Sequence, residues 1–480
     1  MTELEGRLHP LAVLVIARRF IGASLLPMLA LLVSAGLRVI LPIALVLLLV
    51  GVPLAVLSWW RFRYHVGHGK LELHSGVFSR SVRTIPLDRI RGVDVTEPFV
   101  HRLFGLVKVD VEAAAGGRSK AELSLAAVSR EQADQLREAV LAGPRAAPGE
   151  QVEEARAVYQ ATSRLLVLGG ITSMRYLLAP AAVVGVVFNL ADDLPGGIVD
   201  RATDAAADRF PTDTLGIVLV VALGIGLVVA AAIAGSLLVD WGFTTRDEGE
   251  RLAASRGLLT RRVVHLDRDR IRGADVRDSP LRRPLGLSSV NAIAAGLRGR
   301  AGGTALAPVI EREKLPGLLQ AVDPLAPDPA AALVPHPPAS KRRRLVRALA
   351  LPLLALTILA ALGLLWAALA AAVVAALAVL VALDRHRQLG HRFDGRRLAL
   401  RGGSLQRRWS ELDPDAAVAF EVRSSPGQRR NGVCTLTLYL GQGAGSRRAL
   451  DLGEDQATAL LAQIRPQLFQ PLVVSPQPAD

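Results

Sequence analysis

The sequence predicts an α+β membrane protein with six transmembrane helices in three pairs, alternating with three small β-rich domains that each end in a helix. Three observations predict it: apolar stretches too long for one membrane crossing, a block that recurs along the chain, and strand-like alternation inside each recurrence. The 480 residues are 51% hydrophobic, and the mean hydropathy of +0.35 is too high for an ordinary soluble protein. The net charge of +14 comes almost wholly from arginine.

Residues 1–19 are expected to be a cytoplasmic N-terminus, with no secretory signal, because the apolar run after Arg18–Arg19 exceeds signal length. That run, Phe20 to Leu57, would make a single helix about 57 Å long against a hydrocarbon core of about 30 Å. It is therefore read as a first hairpin over 20–60, turning at Ser34–Arg38. Ala348 to Leu383 carries no charge inside it and has Lys341–Arg344 and Arg347 before it and Arg385 and Arg387 after it. Basic flanks at both ends require an even number of crossings, so 346–383 is a hairpin with its turn near Gly363–Trp366.

The middle pair, 165–240, has one clean span at Leu215–Val239 and a second at Tyr176–Leu190, with Arg175 at the interface. The loop between them, 191–214, holds six aspartates against Arg201 and Arg209. Acidic on that side and basic on the other, the chain is oriented with termini and soluble domains in the cytoplasm. The β-rich domains are then 61–145, 241–325 and 384–470, with linkers at 146–164 and 326–345 and a disordered tail at 471–480.

Trp60–Leu106 aligns on Trp241–Leu287 without a gap at an offset of 181. Asp88-Arg-Ile-Arg-Gly92 returns as Asp269-Arg-Ile-Arg-Gly273. A third copy is more diverged. Gly67–His68 is matched to Gly390–His391, four extra residues follow, and then Gly76, Arg80, Arg102 and Gly105 fall on Gly403, Arg407, Arg429 and Gly432 at an offset of 327. The Asp-Arg-Ile-Arg-Gly run is lost there, replaced by Ala416–Phe420. Val107–Ala113 and Cys434–Leu440 alternate as strands with one wet face. Closing helices are expected at Ser129–Leu141, capped by Ser129 with Gln132, at Ile310–Val322 interrupted by Pro316, and at Glu454–Leu468 interrupted by Pro466.

Several strands closed by one amphipathic helix is the plan of a pleckstrin-homology (PH) fold. The run Ile85–Val93 followed by Arg102-Leu-Phe-Gly-Leu106 resembles the bacterial PH domain of YdbT-like membrane proteins. The resemblance implies paired membrane spans alternating with such domains, a bacterial plasma-membrane address and no established reaction. Function inferred through fold alone is analogy.

The candidate contact residues are Arg80, Arg89, Arg91 and Arg102, with Arg261, Arg270, Arg272 and Arg283 in the second copy. Held against an anionic leaflet, each contributes about 1 kcal/mol. The competing reading pairs them with Asp88, Asp94, Asp269 and Asp275 to fix the domain, and it is favoured for Arg89 and Arg91. His65, His68, His74 and His101 are replaced by Arg246, Gly249, Ser255 and Arg282 in the second copy, so a solvated or interfacial role is expected rather than metal ligation. Cys434 is the sole cysteine; it excludes an intramolecular disulfide and has no nearby base. No cofactor is expected.

The basic run 341–347 sits beside a span, which makes it a topology signal rather than a nucleic-acid patch. The leading expectation is a non-enzymatic scaffold whose partners are anionic inner-leaflet lipid, a protein, or a second copy, serving envelope maintenance or resistance to membrane-active agents. The rival is a transporter or channel component. No Asp or Glu lies inside a span, and only prolines 27, 42, 53, 180 and 352 offer kinks.

Overall fold

Each β-rich copy begins before its membrane segment. The computed structural model describes residues 4–13, 37–76, 80–87, 90–113, 123–141, 156–178, 213–294, 304–441 and 445–469. The first copy runs β1 (Leu4–Gly6), α1 (Leu37–Arg61), β2 (Arg63–Gly67), β3 (Lys70–Ser75), β4 (Ser81–Pro86), β5 (Ile90–Glu97), α2 (Phe99–Leu103), β6 (Leu106–Ala113), β7 (Leu123–Ser129) and α3 (Arg130–Leu141). The second runs β8 (Arg156–Gln160), α4 (Ser163–Thr172), α5 (Thr214–Asp240), β9 (Thr244–Asp247), β10 (Arg251–Arg256), β11 (Arg261–Asp267), β12 (Ile271–Asp278), β13 (Leu287–Ala294), β14 (Ala305–Glu311) and α6 (Leu315–Val322). The third runs β15 (Val334–Pro335), α7 (Pro338–Ala361), α8 (Leu365–Arg387), β16 (Gly390–Phe393), β17 (Leu398–Gly402), β18 (Arg407–Leu412), β19 (Ala417–Arg423), α9 (Pro426–Arg429), β20 (Val433–Leu440), β21 (Gly445–Gly453) and α10 (Glu454–Ile464).

β1, β8 and β15 were not legible as strands. Each pairs antiparallel with the strand that follows the membrane segment: β1 with β2, β8 with β9, β15 with β16. The stretches 1–19, 146–164 and 326–345 thus each contribute a strand. A faint signal existed, since His9-Pro-Leu-Ala12 returns as His336-Pro-Pro-Ala339 at the offset of 327.

The ladders fix the repeat more exactly than the letters do. Arg63 faces His74 in the first copy and Gly390 faces Arg401 in the third. The offset of 327 therefore already holds at the first strand after the membrane segment. The four-residue insertion read from Gly67 and Gly390 does not exist; those glycines are not equivalent. Ile90↔Ala113, Ile271↔Ala294 and Ala417↔Leu440 are matching pairs, each followed directly by a register shift. Gly105, Gly286 and Gly432 take φ of 66°, 63° and 59°, the left-handed turn that glycine enters without a Cβ penalty.

The copies are joined through strands. β5 of the first pairs with β11 of the second, and β12 of the second with β18 of the third. Both joins use equivalent residues: Glu97 faces Arg261, and Asp278 faces Arg407. Two seven-stranded sheets result, ordered β7-β6-β5-β11-β10-β9-β8 and β14-β13-β12-β18-β17-β16-β15, with β1–β4 and β19–β21 as smaller sheets. The chain divides into two compact units, 1–249 with 253–265, and 250–252 with 266–480.

In the first unit Leu71, Val109, Leu125 and Leu136 are fully buried in one core between strands and α3. Ser129 and Gln132 cap α3 reciprocally at 3.2 Å, as the sequence predicts. In the second unit Leu398, Leu436, Leu438 and Leu460 form the corresponding core under α10. The helix expected at Ile310–Val322 starts only at Leu315. Ile310 still belongs to β14, and Pro316 sits in the first turn, where its missing N–H costs nothing.

Four described helices are long and apolar enough to cross a membrane: Leu41–Arg61, Thr214–Asp240, Pro338–Ala361 and Leu365–Arg387. Large side chains stand exposed along them, among them Leu49, Leu223 and Leu351, as lipid-facing residues do. Pro42, Pro53 and Pro352 lie inside these helices. α7 and α8 break at 362–364, where Gly363 has φ 71°; Trp366 already belongs to α8. The partner crossings expected within 20–36 and 179–190 lie outside the described residues. α4 packs on α5 so closely that a Cβ on Gly170 would lie 2.9 Å from the Ala232 carbonyl oxygen.

Candidate membrane-proximal basic site

Of the eight arginines singled out from the sequence, six have described side chains. Arg80, Arg102 and Arg261 are exposed, and Arg272 is half-buried. Arg89 and the side chain of Arg91 lie outside the described residues. Arg270 pairs with Asp267 at 3.2 Å. Arg283 reaches into the third copy, donating to the backbone carbonyls of Ser404 and, at 2.7 Å, Leu405. Asp275 takes neither Arg270 nor Arg272; it accepts from Ser410 at 2.6 Å and from both ends of the Arg447 guanidinium at 3.1 and 2.9 Å.

A different set of arginines converges in the second unit. A cleft of about 700 Å³ opens between the basic ends of α7 and α8 and the outer face of the β19–β21 sheet. The sheet wall follows from period-two alternation. Cys434, Leu436, Leu438 and Leu440 point into the core, so Thr435, Thr437 and Tyr439 point out. Across the ladder Thr437 stands between Glu421 and Arg448, and Thr435 faces Arg423. The helical wall supplies Arg343, Arg344 and Arg347 from α7 and Arg385 from α8. Deeper along the hairpin the lining turns apolar, with Ala348, Ala378, Val381 and Ala382.

The two carboxylates at the cleft are already engaged. Asp451, nearly fully buried, takes Arg343, Arg344 (2.9 Å) and the Gln428 amide (3.0 Å). Glu421 accepts from the Tyr439 hydroxyl at 2.6 Å, a bond that raises the phenol pKa. Among the described residues, Arg347, Arg385, Arg423 and Arg448 have no carboxylate of their own, so the cleft carries unneutralised positive charge. It sits where an apolar hairpin meets a polar sheet.

Gln428 occupies the position of His101 and Arg282, and all three are buried. His101 meets the Ala126 carbonyl and Arg282 donates to the Pro308 carbonyl, both at 2.9 Å. Of the solvated or interfacial role expected for the histidines, the solvated alternative does not hold at His101. Three different polar side chains fill one structural place, which is why substitution between copies looked like dispensability. Cys434 is fully buried, and desolvation with Glu454 and Asp451 nearby pushes its thiol up to about 11, the opposite of an activated nucleophile. Among the described residues no cluster of three or more His, Cys, Asp and Glu could hold a metal.

Three stretches of the chain, residues 21–143, 182–323 and 349–468, match the bacterial PH domain family. The chain belongs to that family. Each family match begins inside an apolar stretch and ends at the closing helix, so β1, β8 and β15 lie ahead of the matched stretches. The chain is also 26% identical over 293 residues to the UPF0699 transmembrane protein YdbT of Bacillus subtilis, covering 56% of this chain and 58% of that one. It thus spans a little over half the length of this curated relative. No solved structure matches it. A transmembrane relative and apolar helices mark this bacterial PH protein as membrane-associated.

Proposed function

We propose that the protein is a non-enzymatic membrane scaffold with six spans, presenting three PH-like domains on the cytoplasmic side to inner-leaflet lipid or a protein partner. One observation carries the topology. Each membrane segment is inserted between two hydrogen-bonded neighbours of one sheet, β1 and β2, β8 and β9, β15 and β16. Strands paired to each other must lie in the same compartment, so each insertion crosses an even number of times. α7 and α8 supply both crossings of the third insertion. α1 and α5 supply one each; the six-span reading needs a second crossing in each of those insertions, and the apolar residues within 20–36 and within 176–190 are the candidates for it. Positive flanks at 341–347 and 385–387 support the inside orientation of the domains.

The scaffold reading rests on the joins: equivalent strands pair between successive copies, and among the described residues no repeated catalytic constellation accompanies them. A reporter enzyme inserted within 191–214 tests the topology. It is expected to be active outside the membrane and inactive in the cytoplasm, with reporters at the C-terminus giving the reverse. A cytoplasmic signal from 191–214 overturns the orientation, and opposite signals from two domains overturn the even count.

A further inference from the structure

The cleft under the third hairpin has chemistry that the arginines chosen from the sequence do not. We propose that it is a binding site for the phosphate group of an anionic phospholipid, seated on Arg347, Arg385, Arg423 and Arg448. The proposal rests on the scaffold reading for its placement at the inner leaflet and names the ligand class of one domain.

Three features point to this ligand. The cations come from two independent elements, a helix pair and a sheet, and their side chains meet across one cavity. Helix-end arginines alone would only mark topology; Arg423 and Arg448 belong to strands and have no such duty. Asp451 is taken by Arg343 and Arg344, while Glu421, which keeps its charge as it accepts from the neutral Tyr439 hydroxyl, offsets one of the four remaining arginines and leaves the site net positive. Thr435 and Thr437 add hydroxyl donors on the same wall, suited to phosphate oxygens alongside charge-assisted arginine bonds. The lining then passes from these groups to Ala348, Ala378, Val381 and Ala382 on the hairpin. A soluble phosphate has no use for that small-residue apolar end, whereas a glycerol backbone and the start of its acyl chains do.

The corresponding wall in the second copy is different. Thr435 and Thr437 become Ser289 and Asn291, and Glu421 becomes Asp275, whose carboxylate is spent on Arg447 and Ser410. In the first copy the same two places hold Lys108 and Asp110, so this hydroxyl-bearing wall belongs to the third copy.

The test uses the full chain in nanodiscs of phosphatidylcholine with and without phosphatidylglycerol, reading lipid retained after detergent extraction and apparent affinity by titration. The double variant Arg423→Gln/Arg448→Gln removes two exposed sheet cations and leaves the Asp451 joint intact. Wild type is expected to retain phosphatidylglycerol over phosphatidylcholine, and the double variant to bind it roughly thirtyfold more weakly. Equal retention by variant and wild type overturns the site. Displacement of the lipid by millimolar inorganic phosphate, with equal affinity for phosphate alone, overturns the lipid in favour of a soluble phosphate compound. Carbonate extraction separates this from the scaffold reading: a variant that stays in the membrane but loses lipid keeps the scaffold, whereas release of wild type from the membrane sinks the scaffold itself.

Discussion

β12 and β19 are the same strand of successive copies, yet one lies between two neighbours and the other has one. β12 pairs with β13 on one side and with β18 on the other. At Gly273, φ is 144°, and a Cβ there would lie 2.1 Å from the Glu411 carbonyl oxygen. β19 pairs with β20 and, among the described residues, stands at the edge of its sheet, with Ala419 in the place of that glycine. Of the second copy's Asp-Arg-Ile-Arg-Gly run, Gly273 pairs with Leu412 and the Arg272 carbonyl accepts from the Asp413 N–H, so its last two residues meet the following copy. In the third copy Ala416–Phe420 stands in its place, and Glu421 and Arg423 of β19 line the basic cleft.

The largest effect that can break this comparison is at Asp275. Removing it leaves Arg447 facing a nearly buried site without its carboxylate, so Asp275→Ala is expected to destabilise by about 3–5 kcal/mol. The equivalent Glu421→Ala in β19 is expected to change stability by less than about 1 kcal/mol. Thermal unfolding of both in detergent compares them, and equal losses would mean that the join adds nothing to Asp275. Next is the glycine itself. Gly273→Ala forces its Cβ against backbone and is expected to cost about 1–3 kcal/mol, while the mirror change Ala419→Gly costs about 0.5–1 kcal/mol through entropy alone. A silent Gly273→Ala in the same unfolding assay would remove glycine from the account of the join.

The third prediction concerns Glu411, on β18 at the same join. Burial first, and then the Asp323 carboxylate beside it, push its pKa up to about 8; Arg397 opposes and Asp394 adds to the rise. Both folded and unfolded chains hold the proton below the ordinary carboxylate range, so the group is then neutral toward stability. As pH climbs toward 8 the unfolded chain ionises first, and folding is progressively disfavoured. Glu411→Gln should accordingly raise the melting temperature by a few degrees at pH 8.5 and leave it unchanged near pH 4. A gain that is flat with pH would show that Glu411 is not held protonated.

Much of this was legible in the letters. The offsets of 181 and 327, the capped helix at 130–141, the alternation of β20 and the break between α7 and α8 follow from period, capping chemistry and span length. Three things were not. β1, β8 and β15 are three, five and two residues long, too short for periodicity to register. Gly67 and Gly390 matched as letters but not as ladder positions, because an isolated glycine carries no register. The basic cleft draws on residues about a hundred positions apart, Arg343 and Arg448 among them, and no local pattern gathers those.

By itself the sequence determined the membrane character, the threefold repeat and the α+β class, since each is set by local hydrophobicity and by likeness between segments. Only the tertiary structure decided which strands bracket each membrane segment, that Gly273 packs against the strand of the next copy, and which arginines meet. Those are matters of pairing across long stretches of chain, where a hydrogen-bonded ladder or a shared cavity is created by contact between segments and written in neither one alone.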